Sequence, residues 1–284
     1  MKKKKFTQFL GFLLLRACLY FVLAVLLLFI YDIGKKGGGV ISLEFLTQPP
    51  RRGMTEGGIF PAIMGTFLVT MVTAALAIPL GMFAAIYLNE YAKQTRLTRI
   101  IRLSIRNLSG VPSIVFGLFG VILFVNVLRF GTSILSAGLT LGLLTLPWTI
   151  TASEEALKTI PNSYREGALA LGASKWQTIR TNVLPYAIPG MLTGAVLGLA
   201  RAAGETAPIM FTGAAFYLPY LPKSLSDQFM ALPYHLYILA TQHHAIQQVR
   251  PLAYGTALVL LVLVLGINTA SIIIRYRMRR KRRW

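Results

Sequence analysis

The sequence predicts an all-α membrane protein with six transmembrane helices, and three observations predict it. Apolar residues make up 55% of the 284-residue chain and charged residues only 13%. The apolar residues arrive in long runs, not at the alternating or amphipathic spacing of soluble strands and helices. Six runs with few charges, at about 10–31, 59–88, 108–128, 133–152, 187–216 and 252–274, are each long enough at ~1.5 Å per residue to cross a bilayer core of ~30 Å. Finally, the net charge of +20 is distributed as the positive-inside rule requires.

With the N-terminus in the cytoplasm, the inner segments hold Lys2 to Lys5, Lys93, Arg96, Arg99, Arg102, Arg106, Lys158, Arg165, Lys175, Arg180 and the tail cations from Arg275 to Arg283. The outer segments hold only Lys35, Lys36, Arg51, Arg52, Arg129, Lys223 and Arg250. Both ends are therefore expected inside, as an even number of spans demands. The tail "RYRMRRKRRW" reads as an orientation signal that also attracts anionic headgroups. No aromatic platform accompanies it, so the basic charge points to membrane lipid and not to nucleic acid.

The first run follows "MKKKK", which resembles the start of a signal peptide, but its apolar core is too long and no small-x-small cleavage site follows. It reads as an uncleaved anchor, and residues 1–55 as that anchor with a glycine- and proline-rich, irregular outer loop from 32 to 58. The single cysteine, Cys18, lies in this run as an expected core residue and has no partner for an internal disulfide. Residues 56–275 form the expected core, and 276–284 a basic cytoplasmic tail. On the second run Thr66, Thr70 and Thr73 make a hydroxyl stripe, which lines a polar route or, more often in helices, bonds back to carbonyls.

Between the fourth and fifth runs, residues 155–185 are too polar for membrane and too long for a turn. Ser163 with Glu166, and Ser174 with Gln177, have capping-box spacing, so short helices are expected to begin near 164 and 175. Gly172 supplies the break between them and Pro185 the end of the second. Tyr164, Ala168 and Leu171 fall along one side of the first helix. That side suits either a docked soluble protein or a bed of headgroups.

The fifth run carries the unusual chemistry. Arg201 and Glu205, four residues apart, are expected on one helix face, and the same face carries Gly198, Gly194 and Gly190 as two overlapping G-x-x-x-G patterns that admit a close helix neighbour. A charge inside the hydrocarbon layer needs a partner or a task. One reading is a buried clasp between helices. The other is an anion pathway, in which the guanidinium fork receives a tetrahedral oxyanion, Glu205 holds it between substrates, and Thr206 adjoins them.

The outer loop from 217 to 250 holds an apolar stretch too short to span, expected as an interfacial or re-entrant helix. Its His235, His243 and His244 lack the carboxylate or cysteine companions of a metal site. There is no Walker A sequence, dinucleotide loop or nucleophile elbow, so hydrolysis of ATP by this chain is not expected.

Two sets of residues carry a resemblance. Glu166, Gly167, Ala168, Gly172 and then Asn182, Val183, Leu184, Pro185 resemble the E-A-A-x3-G-x9-I-x-L-P signature of permease subunits of binding-protein-dependent ABC importers, with glycine for the first alanine and asparagine for the isoleucine. Three stretches, "EGGIFPAIMGT", "GVPSIVFGLFG" and "RAAGETAPIMFTG", are similar to phosphate-specific transport permeases, of the A type by length and short N-terminal region.

The resemblance implies the type I importer (MetI-like) fold. It makes the loop a coupling helix, with Tyr164, Glu166, Ala168, Leu171 and Gly172 toward an ATPase, and places Arg201 and Glu205 on the phosphate path. It further implies a second, different permease chain, two copies of an ATP-binding subunit that carry ATP and Mg, and an extracytoplasmic phosphate-binding protein. No cofactor and no enzymatic residue are expected on this chain. The alternatives are a permease for sulfate or molybdate, and an ATP-independent anion transporter in which Glu205 carries a proton.

Overall fold

The computed structural model describes the backbone of residues 2–280 and the side chains of residues 8–278. The side chains of Lys2 to Lys5 and the end of the basic tail, from Lys281, lie outside the described residues. Helix α1 (Lys2–Gly38) runs past the expected end of its span. It packs chiefly on the last helix, where Gly37 brings its backbone against Tyr254, and the apolar window of α1 buries nothing else. Cys18 is accordingly exposed and not a core residue, because a helix with one protein neighbour presents most of its circumference to lipid.

The outer segment after α1 is more ordered than its glycine and proline content suggests. Helix α2 (Leu43–Thr47) is capped by the Ser42 hydroxyl, and strands β1 (Pro50–Arg51) and β2 (Glu56–Gly57) form a minimal antiparallel hairpin. Helix α3 (Phe60–Ile86) continues through a π turn, Tyr87–Tyr91. The buried hydroxyls of Thr66, Thr70 and Thr73 donate to carbonyls four residues back at 2.7–2.8 Å, so the stripe is satisfied inside the protein.

The third expected span is bent. Helix α4 (Arg96–Leu108) meets α5 (Ser113–Gly120, continued to Val127 by a π turn) at 102°. Pro112 forces the preceding residue out of helical geometry, which ends α4 just where the apolar run begins. The membrane part, Ser113–Val127, is only about 22 Å long. Among the described residues five helices are long and apolar enough to cross a membrane, and this bent pair makes the sixth.

Helix α6 (Ile134–Lys158) is the central element, mostly buried between α3 and the fifth span. Beyond it come α7 (Asn162–Ala170) and α8 (Lys175–Thr178). The Ser174 and Gln177 capping box forms, whereas Pro161 occupies the α7 cap position and Ser163 caps nothing. Gly172 adopts the left-handed φ of 84° that the corner requires. Pro185 does not end the helix: a π turn (Ile179–Val183) absorbs its missing N–H, and the chain runs on as α9 (Leu184–Ala202).

The fifth span then breaks at Ala203–Thr206 and resumes as α10 (Ala207–Thr212), where an unbroken helix to 216 was expected. The outer loop folds over this end, held by Ser133 N–H to Thr212 O (3.0 Å) and Ile134 N–H to Asp227 O (3.0 Å). The expected interfacial helix is α11 (Leu232–Tyr237) with a π turn to Gln242, started and not interrupted by Pro233. Helix α12 (Ile246–Arg280) closes the fold.

Candidate functional site

Arg201 lies in the last turn of α9, about 39 Å along the helix from Lys175, and Glu205 lies in the break beyond it. They share no helical face. The backbone instead turns through Gly204 N–H to Arg201 O (3.0 Å) and Glu205 N–H to Ala202 O (3.1 Å), which carries Glu205 round to the arginine. Nε and Oε1 stand 3.6 Å apart, an ion pair too long for a hydrogen bond. The arginine side chain is 48% exposed and the glutamate 15%.

The guanidinium carbon sits 4.9 Å from the centroid of the Trp148 ring. Trp148 is 44% exposed, whereas every other residue from Ile134 through Glu154 is buried or half-buried. A guanidinium held over an indole ring by cation–π attraction spends no N–H donor on that contact. Irregular backbone inside a span is tolerated where it is packed against protein or lines a water-filled cavity. The first condition holds here: Ala202 and Ala203 are buried on one side of the break, while Arg201 and Gly204 are exposed on the other and Thr206 is half-buried.

The glycine stripe sets this arrangement. A Cβ on Gly190 would come within 2.8 Å of Ala156 Cβ, one on Gly194 would collide with Ala152, and Gly198 faces Thr149 and Trp148 at 3.9 Å. The close neighbour is therefore α6 of the same chain. Trp148 faces Gly198 in that register, and the Arg201 side chain, from one turn farther along α9, lies over its ring; nothing in the apolar sequence context of Trp148 singles it out.

On the cytoplasmic side the predicted docking residues divide. Tyr164 turns inward, edge-to-face with Tyr186 at 5.4 Å, and Ala168 one turn on is buried beside it at 7% exposure. Ala168 is off the outer surface and Tyr164 only partly exposed, because residues four apart share the face that α7 turns to the bundle. Glu166, Leu171 and Gly172 do face out, Leu171 at 91% exposure. Leu169 and Trp176, both about half exposed, extend that apolar surface and were not foreseen.

Two buried ion pairs behind this surface were also not foreseen. Arg165 donates to both oxygens of Glu90 at 3.1 and 2.7 Å, and to the carbonyls of Ile160 (2.9 Å) and Leu157 (3.2 Å). Arg102 lies 3.1 Å from Glu154, out of line for a hydrogen bond, and donates to Leu88 O at 2.6 Å. All four side chains are at most 18% exposed. Partners this far apart in sequence leave no periodic trace.

In the outer loop, His243 Nδ1 accepts from Ala245 N–H at 3.0 Å and Nε2 therefore donates to Gly53 O at 2.7 Å. His235 is buried with Nδ1 unpartnered, and burial, then the nearby His243, pushes its pKa down to about 4. The rings of His243 and His244 stack at 4.4 Å. Among the described residues no group of three His, Cys, Asp or Glu side chains is placed to hold a metal.

Comparison with known proteins decides what this architecture is. Residues 77–284 match the model of the family described as the binding-protein-dependent transport system inner membrane component. The chain belongs to this family. It is 33% identical to the probable ABC transporter permease protein YqgI of Bacillus subtilis, covering 89% of this chain and 90% of that one. It is 38% identical to the phosphate transport system permease protein PstA 1 of Mycobacterium tuberculosis, over 80% of this chain and 72% of that one.

Among solved structures it is similar to the inward-facing methionine ABC transporter MetNI (TM-score 0.62, 20% identity, 76% of this chain and 94% of that one). It is also similar to a bacterial alginate ABC importer (TM-score 0.66, 17% identity, 94% and 95%). The fold is thus that of ABC importer permeases, and the chain is a multi-pass inner-membrane component of such a system.

Proposed function

We propose that this chain is the A-type permease subunit of an ATP-driven phosphate importer, with Arg201, Glu205 and Thr206 on the translocation path. The observation that carries the reading is the loose pair at the broken fifth span: an arginine held on Trp148 and 3.6 Å from Glu205 keeps donors free where the backbone opens. The names of relatives such as the M. tuberculosis permease support phosphate as cargo.

An arriving phosphate anion takes the guanidinium edge, and its protonated oxygen donates to the Glu205 carboxylate. Sulfate has no proton to give at neutral pH and meets an unshielded negative charge instead. Recovery of the Arg201–Glu205 attraction after the anion leaves keeps binding weak enough for release.

In this reading both termini are cytoplasmic, and Glu166, Leu169, Leu171, Gly172 and Trp176 form the surface on which an ATP-binding subunit docks. Two such subunits hold ATP and Mg, a second permease completes the pore, and an extracytoplasmic phosphate-binding protein delivers cargo to the outer loops. The chain itself supplies a path and a lever and no hydrolytic residue.

The test is ATP-dependent uptake of radiolabelled phosphate into proteoliposomes holding the whole complex, with sulfate as competitor. Uptake that sulfate does not inhibit, and that Arg201→Gln lowers strongly while the ATPase stays bound, is the expected result. Uptake unchanged by Arg201→Gln removes the pair from the path.

A further inference from the structure

The π turn Tyr87–Tyr91 at the cytoplasmic end of α3 is gripped by three cations from three different helices. Arg102 of α4 donates to Leu88 O at 2.6 Å. Arg165 of α7 binds both oxygens of Glu90 at 2.7 and 3.1 Å. Lys175, the first residue of α8, lies 5.0 Å from the centroid of the Tyr91 ring.

Helices α7 and α8 are joined by chain only to α6 and α9. A displacement of α7 would reach those two spans through the backbone, and α3, 75 residues from Arg165, only through its packing on them. Arg165 adds a direct link. Its remaining donors hold Ile160 O and Leu157 O at the end of α6, so one side chain ties α7, the end of α6 and the end of α3 together. Asn89 Nδ2 donates to Glu90 Oε1 at 2.8 Å and fixes the carboxylate for it.

Stability alone is a poor reason for such a site, since a buried ion pair is often no more stabilising than an apolar pair of the same volume. What it does supply is register: the pair is satisfied in one relative position of the two helices. A π turn is also a point at which a helix yields locally, and such turns concentrate at functional sites.

We propose that Glu90 and Arg165 are positioning residues that make the second span move with the cytoplasmic helix unit, so that the force of the ATPase reaches α3 as well as α6 and α9. The proposal rests on the importer reading above. It assigns to the pair neither cargo binding nor ATPase docking.

The experiment compares native complex with Glu90→Gln and Glu90→Asp in proteoliposomes, reading phosphate taken up per ATP hydrolysed alongside the amount of ATPase retained on purification. Native complex must first transport phosphate in an ATP-dependent manner; if it does not, the importer reading fails, and this is distinct from failure of the linkage.

With transport established, Glu90→Gln is expected to retain the ATPase and to lower phosphate per ATP at least tenfold, because hydrolysis continues while α3 is coupled to the moving helices by packing alone. Should Glu90→Gln fail to assemble, Glu90→Asp, which keeps the charge and shortens the arm, carries the test through the same ratio, lowered at least threefold. A native ratio in any assembled variant overturns the proposal, as does a loss of uptake matched by an equal loss of hydrolysis.

Discussion

Two of the arginine–glutamate pairs among the described residues are of opposite build. Arg165 and Glu90 are largely buried, meet at 2.7 and 3.1 Å, and leave no guanidinium nitrogen idle. Arg201 and Glu205 stand 3.6 Å apart at the broken span, with the arginine half exposed on an indole face. The residue types are the same and the difference is unused hydrogen-bonding capacity. A saturated pair fixes the position of what carries it, and an unsaturated one has donors to offer a visitor.

That contrast breaks most visibly at Arg201. Arg201→Gln removes charge-assisted hydrogen bonds worth about 2–3 kcal/mol to a bound anion, so ATP-driven phosphate uptake should fall ~30–150-fold with assembly intact. Loss of assembly in that variant would mean that both pairs are structural. Next in size, Leu171→Asp places a charge on the exposed cytoplasmic apolar surface. It should weaken ATPase retention about tenfold, the scale of a central apolar contact at an interface, and leave the Arg165 linkage untouched.

Glu205→Gln sharpens the contrast from the other side. Its expected signature is several-fold greater inhibition of phosphate uptake by sulfate, with little change in uptake when sulfate is absent; unchanged discrimination would strip Glu205 of its selective role. The smallest effect belongs to Trp148→Leu. A cation–π contact of this exposure contributes ~0.5–1 kcal/mol, so the half-saturating phosphate concentration should rise two- to fivefold at constant maximal rate.

How much of this was legible in the sequence depends on the range of the interaction. Most local signals read correctly: the Ser174 and Gln177 cap, the φ demanded of Gly172, the back-bonded threonines and the apolar runs all depend on residues within a turn or two, while the cap expected of Ser163 and the stop expected of Pro185 failed. The glycine stripe announced a close neighbour but not which one, since spacing describes one surface and α6 supplies the other.

The break after Ala202 was missed although Gly204 followed by Pro208 has the pattern of a helix end, because the stretch beyond it stays apolar to Phe216 and reads as one continuous run. Ala168 was misplaced for a related reason. A seam of apolar residues on a short helix does not say whether it faces its own bundle or a partner, and here the bundle took Tyr164 and Ala168 and left Leu171. Arg165 and Glu90, 75 positions apart, had no sequence signal at all.

The contact between α1 and α12 bears on how the protein is made. These helices are packed together, yet more than two hundred residues of chain separate Gly37 from its seat on Tyr254. During synthesis α1 enters the bilayer with no protein surface to rest on, and its apolar circumference lets it wait there at no penalty. Only when the intervening spans have been inserted does α12 emerge to receive it. Closing so long a loop is the slow, non-local kind of step, which makes the docking of α1 a late event in biogenesis. The bundle of α3, α6 and α9, joined by contacts nearer in sequence, can be complete before it.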